Sequence, residues 1–129
     1  MNCYCGKPQE FSQCCEPYIL GAATPETAED LMRSRYSAFC VVNMDYLRDT
    51  TDMQIRYEFD GKANEAWAKT SQFKKLEILK TEESGNKSIV EFKAYFHSEG
   101  QDHVHHEIST FRKTGGVWFY RSGRILKTF

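Results

Sequence analysis

Four cysteines stand within the first fifteen residues, Cys3, Cys5, Cys14 and Cys15, in the order C-x-C, eight residues, C-C. Two close pairs of thiols joined by a short loop supply the four corners of a tetrahedral Zn²⁺ site. Each pair spans one edge of the tetrahedron, and Gly6 directly after Cys5 permits the tight backbone such a knuckle needs. Four thiolates around one dication leave a net charge of about −2, so a nearby cation is expected. Lys7 is the only cation within residues 1–20. The competing chemistry is disulfide cross-pairing of the two doublets in an oxidising compartment. Adjacent Cys14 and Cys15 cannot pair with each other without strain, and a Cys3–Cys5 ring is similarly tight. Metal ligation is the reading adopted here, with Zn²⁺ in a structural role, because a twenty-residue segment has almost no core of its own. Cys40 stands apart, among Ala38, Phe39 and Val41, and reads as a buried structural thiol.

A second constellation involves Arg35. At 100° per residue Ala28, Leu31, Met32, Tyr36, Phe39 and Val42 gather on one broad helical face, and Arg35 falls inside that apolar arc. Arg33 points about 200° away. A guanidinium aimed at a core must meet an acceptor, since an unpaired buried charge is very costly. Glu107 is the candidate partner if the strand face His105, Glu107, Ser109, Phe111 turns inward; the set Val104, His106, Ile108, Thr110 competes for that role. Three outcomes remain open at this point. Arg35 and Glu107 form a buried ion pair tying helix to sheet, or Arg35, Tyr36 and Glu107 line a pocket for a small anionic or polar ligand, or Arg35 snorkels to solvent. All four histidines, His97, His103, His105 and His106, fall within ten positions near Glu99 and Asp102. That segment looks like a hairpin connection, where polar groups are simply solvated. No catalytic residue is assigned: there is no G-x-S-x-G, no phosphate-binding glycine loop, no H-E-x-x-H and no paired-carboxylate spacing.

The elements that must position these groups come in two blocks. Thr24 reads as an N-cap with Pro25 at the first helical position, followed by a helix carrying Arg35. Asn43 and Asp45 interrupt it, Tyr46-Leu47 begins a short second piece, and a further helix is expected around Asn64 to Gln72. From Phe73 the period changes to two. Leu76 to Ile78, Ser88 to His97 and about His103 to Lys113 read as strands, then Thr114-Gly115-Gly116 turns into Val117 to Arg121. A last edge strand, Arg124 to Lys127, is expected after a turn at Ser122-Gly123. Helices followed by an antiparallel meander make an α+β fold, with helices packed on a curved sheet. The boundary between knuckle and domain is placed near Gly21-Ala22-Ala23.

The string Cys3-Tyr4-Cys5-Gly6, followed by Phe11-Ser12-Gln13-Cys14-Cys15, resembles the SEC-C motif. That motif is the zinc-binding tail of the preprotein-translocase motor SecA and recurs in otherwise unrelated bacterial proteins. Tyr4 stands where Pro is common and Lys7 where Ser is common, neither at a ligand position. The runs Pro17 to Gly21, Thr27 to Phe39 with its Leu31-Met32-Arg33-Ser34-Arg35-Tyr36 core, Asp45 to Leu47, His106 to Phe111 and Gly116 to Tyr120 are similar to the YchJ family. The resemblance implies a SEC-C knuckle over residues 1–20 and a nuclear-transport-factor-2-like domain, a cystatin-like cone, over 21–129. It implies no established activity.

The 129 residues suit one compact domain with a small appendage. Seventeen Lys+Arg against 18 Asp+Glu leave a charge of −1, and with Glu10 and Glu16 beside Lys7 the knuckle has no electrostatic footprint for nucleic acid. No apolar run reaches the ~20 residues that span a bilayer, and Met1-Asn2-Cys3 opens no signal peptide, so the expected compartment is the cytosol. The expected function is a non-catalytic protein-interaction or adaptor module. By motif analogy its partners belong to the translation or export machinery, with Tyr4, Phe11, Tyr18 and Ile19 as contact residues, the last two better suited to packing the knuckle onto the domain. The alternative is a ligand-binding or enzymatic pocket in the cone, which needs a cavity of ~300 Å³ or more with convergent polar groups. A homodimer through a sheet face is compatible with the alternation.

Overall fold

The computed structural model describes residues 2–128. The N-terminal segment closes on itself before the main domain begins: Asn2 bridges Glu10, and the Cys3 amide donates to the Gln9 carbonyl at 2.6 Å. Gly6 adopts φ +96°, the left-handed conformation that the tight turn after Cys5 demands. A 3₁₀ turn at Phe11–Gln13 and the short helix α1 (Glu16–Ile19) complete this segment.

Helix α2 runs Ala28–Cys40. Its N-cap is Thr27, not Thr24: the Thr27 hydroxyl accepts the Asp30 amide at 3.1 Å, and Glu29 and Asp30 fill the first turn. The Thr27-x-x-Asp30 spacing places a hydroxyl opposite an orphan amide, whereas Pro25 is buried ahead of the helix. Asn43 does more than interrupt. Its side chain accepts the Tyr46 amide at 3.0 Å and caps α3 (Met44–Asp49). Helix α4 spans Gly61–Thr70, begun by Asp60 accepting from Ala63, three residues before the expected start.

Four strands follow in a simple antiparallel meander, β1 (Gln72–Ser84), β2 (Lys87–Ser98), β3 (Gln101–Thr114) and β4 (Val117–Thr128), in spatial order β1-β2-β3-β4. The β2–β3 and β3–β4 turns use pairs with positive φ, Glu99-Gly100 and Gly115-Gly116, which match the twist of the flanking strands. β4 corrects an expectation. Ser122-Gly123 is no turn, and the strand continues through it, paired with β3 to its end. The alternation is instead shifted by a bulge, since Phe111 faces Tyr120 but Thr110 faces Ser122, leaving Arg121 as the extra residue.

One face of the sheet is covered by helices. Ser88, Val90, Phe92, Ala94 and Phe96 of β2 and Glu107, Ser109 and Phe111 of β3 are all buried. The Glu107 face therefore turns inward and the Val104–Thr110 set does not. Helix α2 crosses this face, touching β1, β2 and β4, and Leu31, Leu47, Val90 and Phe111 are fully buried between the layers. Burying each such side chain contributes roughly 1.5–3 kcal/mol. Among the described residues no helix is long and apolar enough to cross a membrane.

Candidate functional site

The four N-terminal cysteines converge. Their sulfurs all lie within 4.8 Å of one another, and Cys3, Cys5 and Cys15 are buried while Cys14 is half-exposed. Cys5 and Cys14 Sγ are 3.7 Å apart, close to the ~3.8 Å edge of a tetrahedron with metal–sulfur bonds of about 2.3 Å. All four thiols are unbridged. Among the described residues they are the one group of three or more side chains gathered closely enough to hold a metal ion. The cluster is also primed for charge. The Cys15 thiol's hydrogen bond stabilises a Cys5 thiolate against the cost of burial, bringing Cys5 down to about 5. Burial and the neighbouring Cys5 charge then push Cys14 up to about 12, so a second negative charge requires a cation between the sulfurs.

The cation beside the cluster is Arg33 as much as Lys7. Arg33 Nη1 donates to the Cys5 carbonyl at 2.7 Å while its Nε holds Glu29. Lys7 turns to Asp30 on the same helix, at 2.7 Å. The helical projection that sends Arg33 away from the core aims it at the knuckle, a contact between elements that no single-helix pattern contains. Cys3 Sγ lies 3.7 Å from Ser37 Oγ, and Ile19 packs against both the cysteine cluster and the main core, as does Tyr18 against the latter. Tyr4 is 43% exposed and stacks edge-on with Phe11.

Arg35, Tyr36 and Glu107 meet at a different place, a cavity of about 950 Å³ between α2, α4 and the sheet. Met32, Arg35, Tyr36 and Phe39, one helical stripe, form its α2 wall; Phe92, Ala94, His105, Glu107 and Ser109 form the sheet wall. Trp67 of α4 stands over one end, edge-on to Phe39 at 5.0 Å, Phe73 at 5.4 Å and Phe96 at 5.5 Å. At the other end polar groups converge.

Arg35 and Glu107 do not form the direct ion pair considered above. Arg35 Nη1 donates to the Leu47 carbonyl at 2.9 Å and to Thr50 Oγ1 at 2.7 Å, and its guanidinium lies 4.5 Å above the Tyr120 ring. Burial pulls its pKa down to about 10, so it stays charged at neutral pH. Glu107 is held by others: His105 Nε2 at 2.8 Å, the Ser109 hydroxyl, and the Tyr120 hydroxyl at 3.4 Å. Burial alone would raise its pKa, but the hydrogen bonds from His105 and Ser109 win and keep the carboxylate below its ordinary value. Glu107's negative charge lies against Tyr120, and burial with that charge pushes the phenol up to about 12.

The histidines do not share a site. His97 pairs with Asp102 at the hairpin, His103 stacks on Phe96, His106 bonds Glu91 on the far face, and only His105 enters the cavity. Sequence reasoning missed Trp67, Tyr120, Arg121 and Gly123 as cavity residues. For Gly123 a signal existed, because a strand-interior glycine often marks close approach. A Cβ there would sit 2.5 Å from Tyr120 Oη, 2.7 Å from Glu107 Cδ and closer still to Glu107 Oε2.

The comparisons with known proteins agree with this architecture. The family model described as "YchJ, middle NTF2-like domain" matches residues 27–123. A UPF0225 protein of Geobacter sulfurreducens is 41% identical over 128 residues, covering 97% of this chain and 80% of that protein. One from Haemophilus influenzae is 38% identical over 120 residues, covering 92% and 74% respectively. The solution structure of a SEC-C motif containing protein from Rhodopseudomonas palustris superposes with a TM-score of 0.91 at 38% identity, over 98% of this chain and 100% of that one. A crystal structure of a SEC-C motif containing protein from Psychrobacter arcticus gives 0.85 at 32% identity, over 100% and 85%.

Proposed function

The chain belongs to the YchJ family of UPF0225 proteins, and on that premise we propose that it is a small-molecule-binding protein whose N-terminal cysteines form a structural zinc site. The observation behind the binding function is the cavity itself: about 950 Å³, aromatic at one end and lined at the other by Arg35, Glu107, Ser109 and Tyr120. Binding sites for small molecules are concave clefts of this kind, with apolar walls and convergent polar groups. This supports the pocket, the alternative that the sequence alone set beside an adaptor module. The zinc assignment draws support from an all-sulfur donor set, the 3.7 Å Cys5–Cys14 spacing, and the SEC-C motif of the two structural relatives.

The test is a thermal-shift screen of apolar small molecules bearing one polar end, run on the native protein and on Ala94→Leu. Ala94 lines the cavity floor and is 3% exposed, so the larger side chain fills ligand space. Hits that stabilise the native chain and fail with a folded Ala94→Leu variant support the function. Hits indifferent to that change count against it.

Protein contact through the knuckle remains a second reading, favoured by the exposure of Tyr4 (43%) and Leu20 (73%). It predicts co-purification with ribosomes or the export translocase from bacterial lysate, lost in Tyr4→Ser/Leu20→Ser. Untouched co-purification in that variant would dismiss it.

A further inference from the structure

Arg35 and Glu107 come from different walls of the cavity, α2 and β3, and both flank Tyr120. The guanidinium carbon lies 4.5 Å from the centre of the Tyr120 ring, and Glu107 Oε2 lies 3.4 Å from its hydroxyl. The two charges are neighbours that do not touch. Arg35 spends both hydrogens of Nη1 on the Leu47 carbonyl and Thr50 Oγ1. Its Nε and Nη2 take no partner among the described residues, and neither is sealed from solvent in the way that Arg121 Nη1 is. Arg35 is only 8% exposed, so these donors open onto the cavity that it lines.

Glu107 is the complementary half. A carboxylate accepts at about four lone-pair sites, and three are taken, by His105 on Oε1 and by Ser109 and Tyr120 on Oε2. One acceptor site remains on Oε1. The lining carries three carboxylates, Glu58, Asp60 and Glu107, against the guanidiniums of Arg35 and Arg121, which disfavours an anionic ligand. Glu58 and Asp60 are exposed, whereas Arg35 and Glu107 are buried and offset each other. The polar end therefore selects by hydrogen-bond pattern: open donors from α2 beside an open acceptor from β3. A group that offers a C=O and an N–H side by side satisfies both, and the lactam edge of a ring is such a group. The aromatic end is within reach of it. The Trp67 ring lies 5.7 Å from that of His105, whose Nε2 is 2.8 Å from Glu107, so a two-ring ligand covers the distance.

We propose that the cavity binds a flat, uncharged heterocycle with a lactam edge, its C=O received by Arg35, its N–H by Glu107 and its ring lying beside Trp67. This inference rests on the cavity function proposed above and adds the hydrogen-bonding pattern and shape of the ligand. A site built on buried donors and acceptors rejects an analogue that lacks one matching group, because the protein group opposite is left bare.

The experiment uses flat two-ring probes: 2-quinolinone, which carries both groups, 1-methyl-2-quinolinone, which only accepts, indole, which only donates, and 2-naphthoate, an anion. Each is titrated into the ¹⁵N-labelled full chain and followed by the amide shifts of Trp67, Ala94, Tyr120 and Gly123. The proposal expects 2-quinolinone to bind at least about tenfold tighter than each of the others. Glu107→Gln keeps the side chain's shape and removes the charged acceptor, so it should cut the preference for 2-quinolinone over its N-methyl analogue to about threefold or less. A ratio of two affinities is insensitive to a general loosening of the cavity, and the native ratios decide alone if the variant does not fold. If any other probe matches 2-quinolinone, or Glu107→Gln keeps the native ratio, the lactam inference is overturned and the cavity function stands. If no probe shifts these amides, the inference is overturned as well, and the Ala94→Leu screen decides the cavity function separately.

Discussion

Gly123→Ala tests the packing of the polar end most directly, because intrinsic preference and tertiary structure predict opposite signs. Replacing a strand-interior glycine with alanine ordinarily stabilises, by roughly 0.5–1 kcal/mol, since alanine loses less backbone entropy on folding. Here the new methyl would meet Tyr120 Oη at 2.5 Å and the Glu107 carboxyl carbon at 2.7 Å. Ordinary contact requires the carboxylate to retreat, and its retreat stretches the hydrogen bonds from His105 and Ser109. Overpacking of this kind costs about 1–3 kcal/mol, and weakening hydrogen bonds to a buried charge adds about 1.5–3 kcal/mol. Against the intrinsic gain, the net expectation is a loss of about 1.5–5.5 kcal/mol. Urea unfolding followed by far-UV circular dichroism measures it, given an unchanged m-value. The cycle with Glu107→Ala then identifies the cause. Removing the carboxylate removes most of the clash, so the double variant should be more stable than the sum of the singles predicts by at least ~1 kcal/mol. An alanine variant as stable as the native chain, or strict additivity in the cycle, would refute the close-approach account.

Three further outcomes are expected. Elemental analysis should find about one zinc per chain, and Cys14→Ser should lower that content and loosen residues 2–20 while amide protection in β2 and β3 persists; a global collapse of protection would place the knuckle within the main cooperative unit. Arg33→Met, which removes the bond to the Cys5 carbonyl, should weaken zinc retention against a chromophoric chelator about tenfold, whereas Lys7→Met, whose partner Asp30 lies off the cluster, should change it far less. Because Glu107's pKa is lowered in the folded state, its stabilising contribution is present above the ordinary 4.5 and is lost as pH falls through the depressed value. Urea stability should therefore drop less steeply below pH 4.5 in Glu107→Gln than in the native chain, and equal slopes would contradict that assignment.

Much of this protein was written locally. The C-x-C and C-C doublets with Gly6 between them announced a sulfur-lined knuckle, and the sulfurs do converge within 4.8 Å. The alternation of Val90, Phe92, Ala94 and Phe96 announced a half-buried strand, and those four are its buried side. Arg35 in an apolar helical arc announced a buried guanidinium, and it is 8% exposed. These succeeded because each depends only on the repeat of one element: a side chain's direction follows from 3.6 residues per turn or from strict alternation.

What failed, or never arose, depends on how two elements meet. Glu107 was the only visible acceptor for Arg35, yet the last turn of α3 offers it the Leu47 carbonyl and the Thr50 hydroxyl, and Glu107 turns to its own strand neighbours. Arg33 projects about 200° from Arg35, and only the folded knuckle places the Cys5 carbonyl there. Ser122-Gly123 had the composition of a turn, but β3 supplies the pairing that keeps β4 extended, and the bulge at Arg121 exists only in that pairing. The cavity is the clearest case. A void belongs to no residue, and its polar end is assembled by the register of β3 against β4, the crossing of α2 and the placement of Trp67, all set by long-range packing that a one-dimensional pattern does not encode.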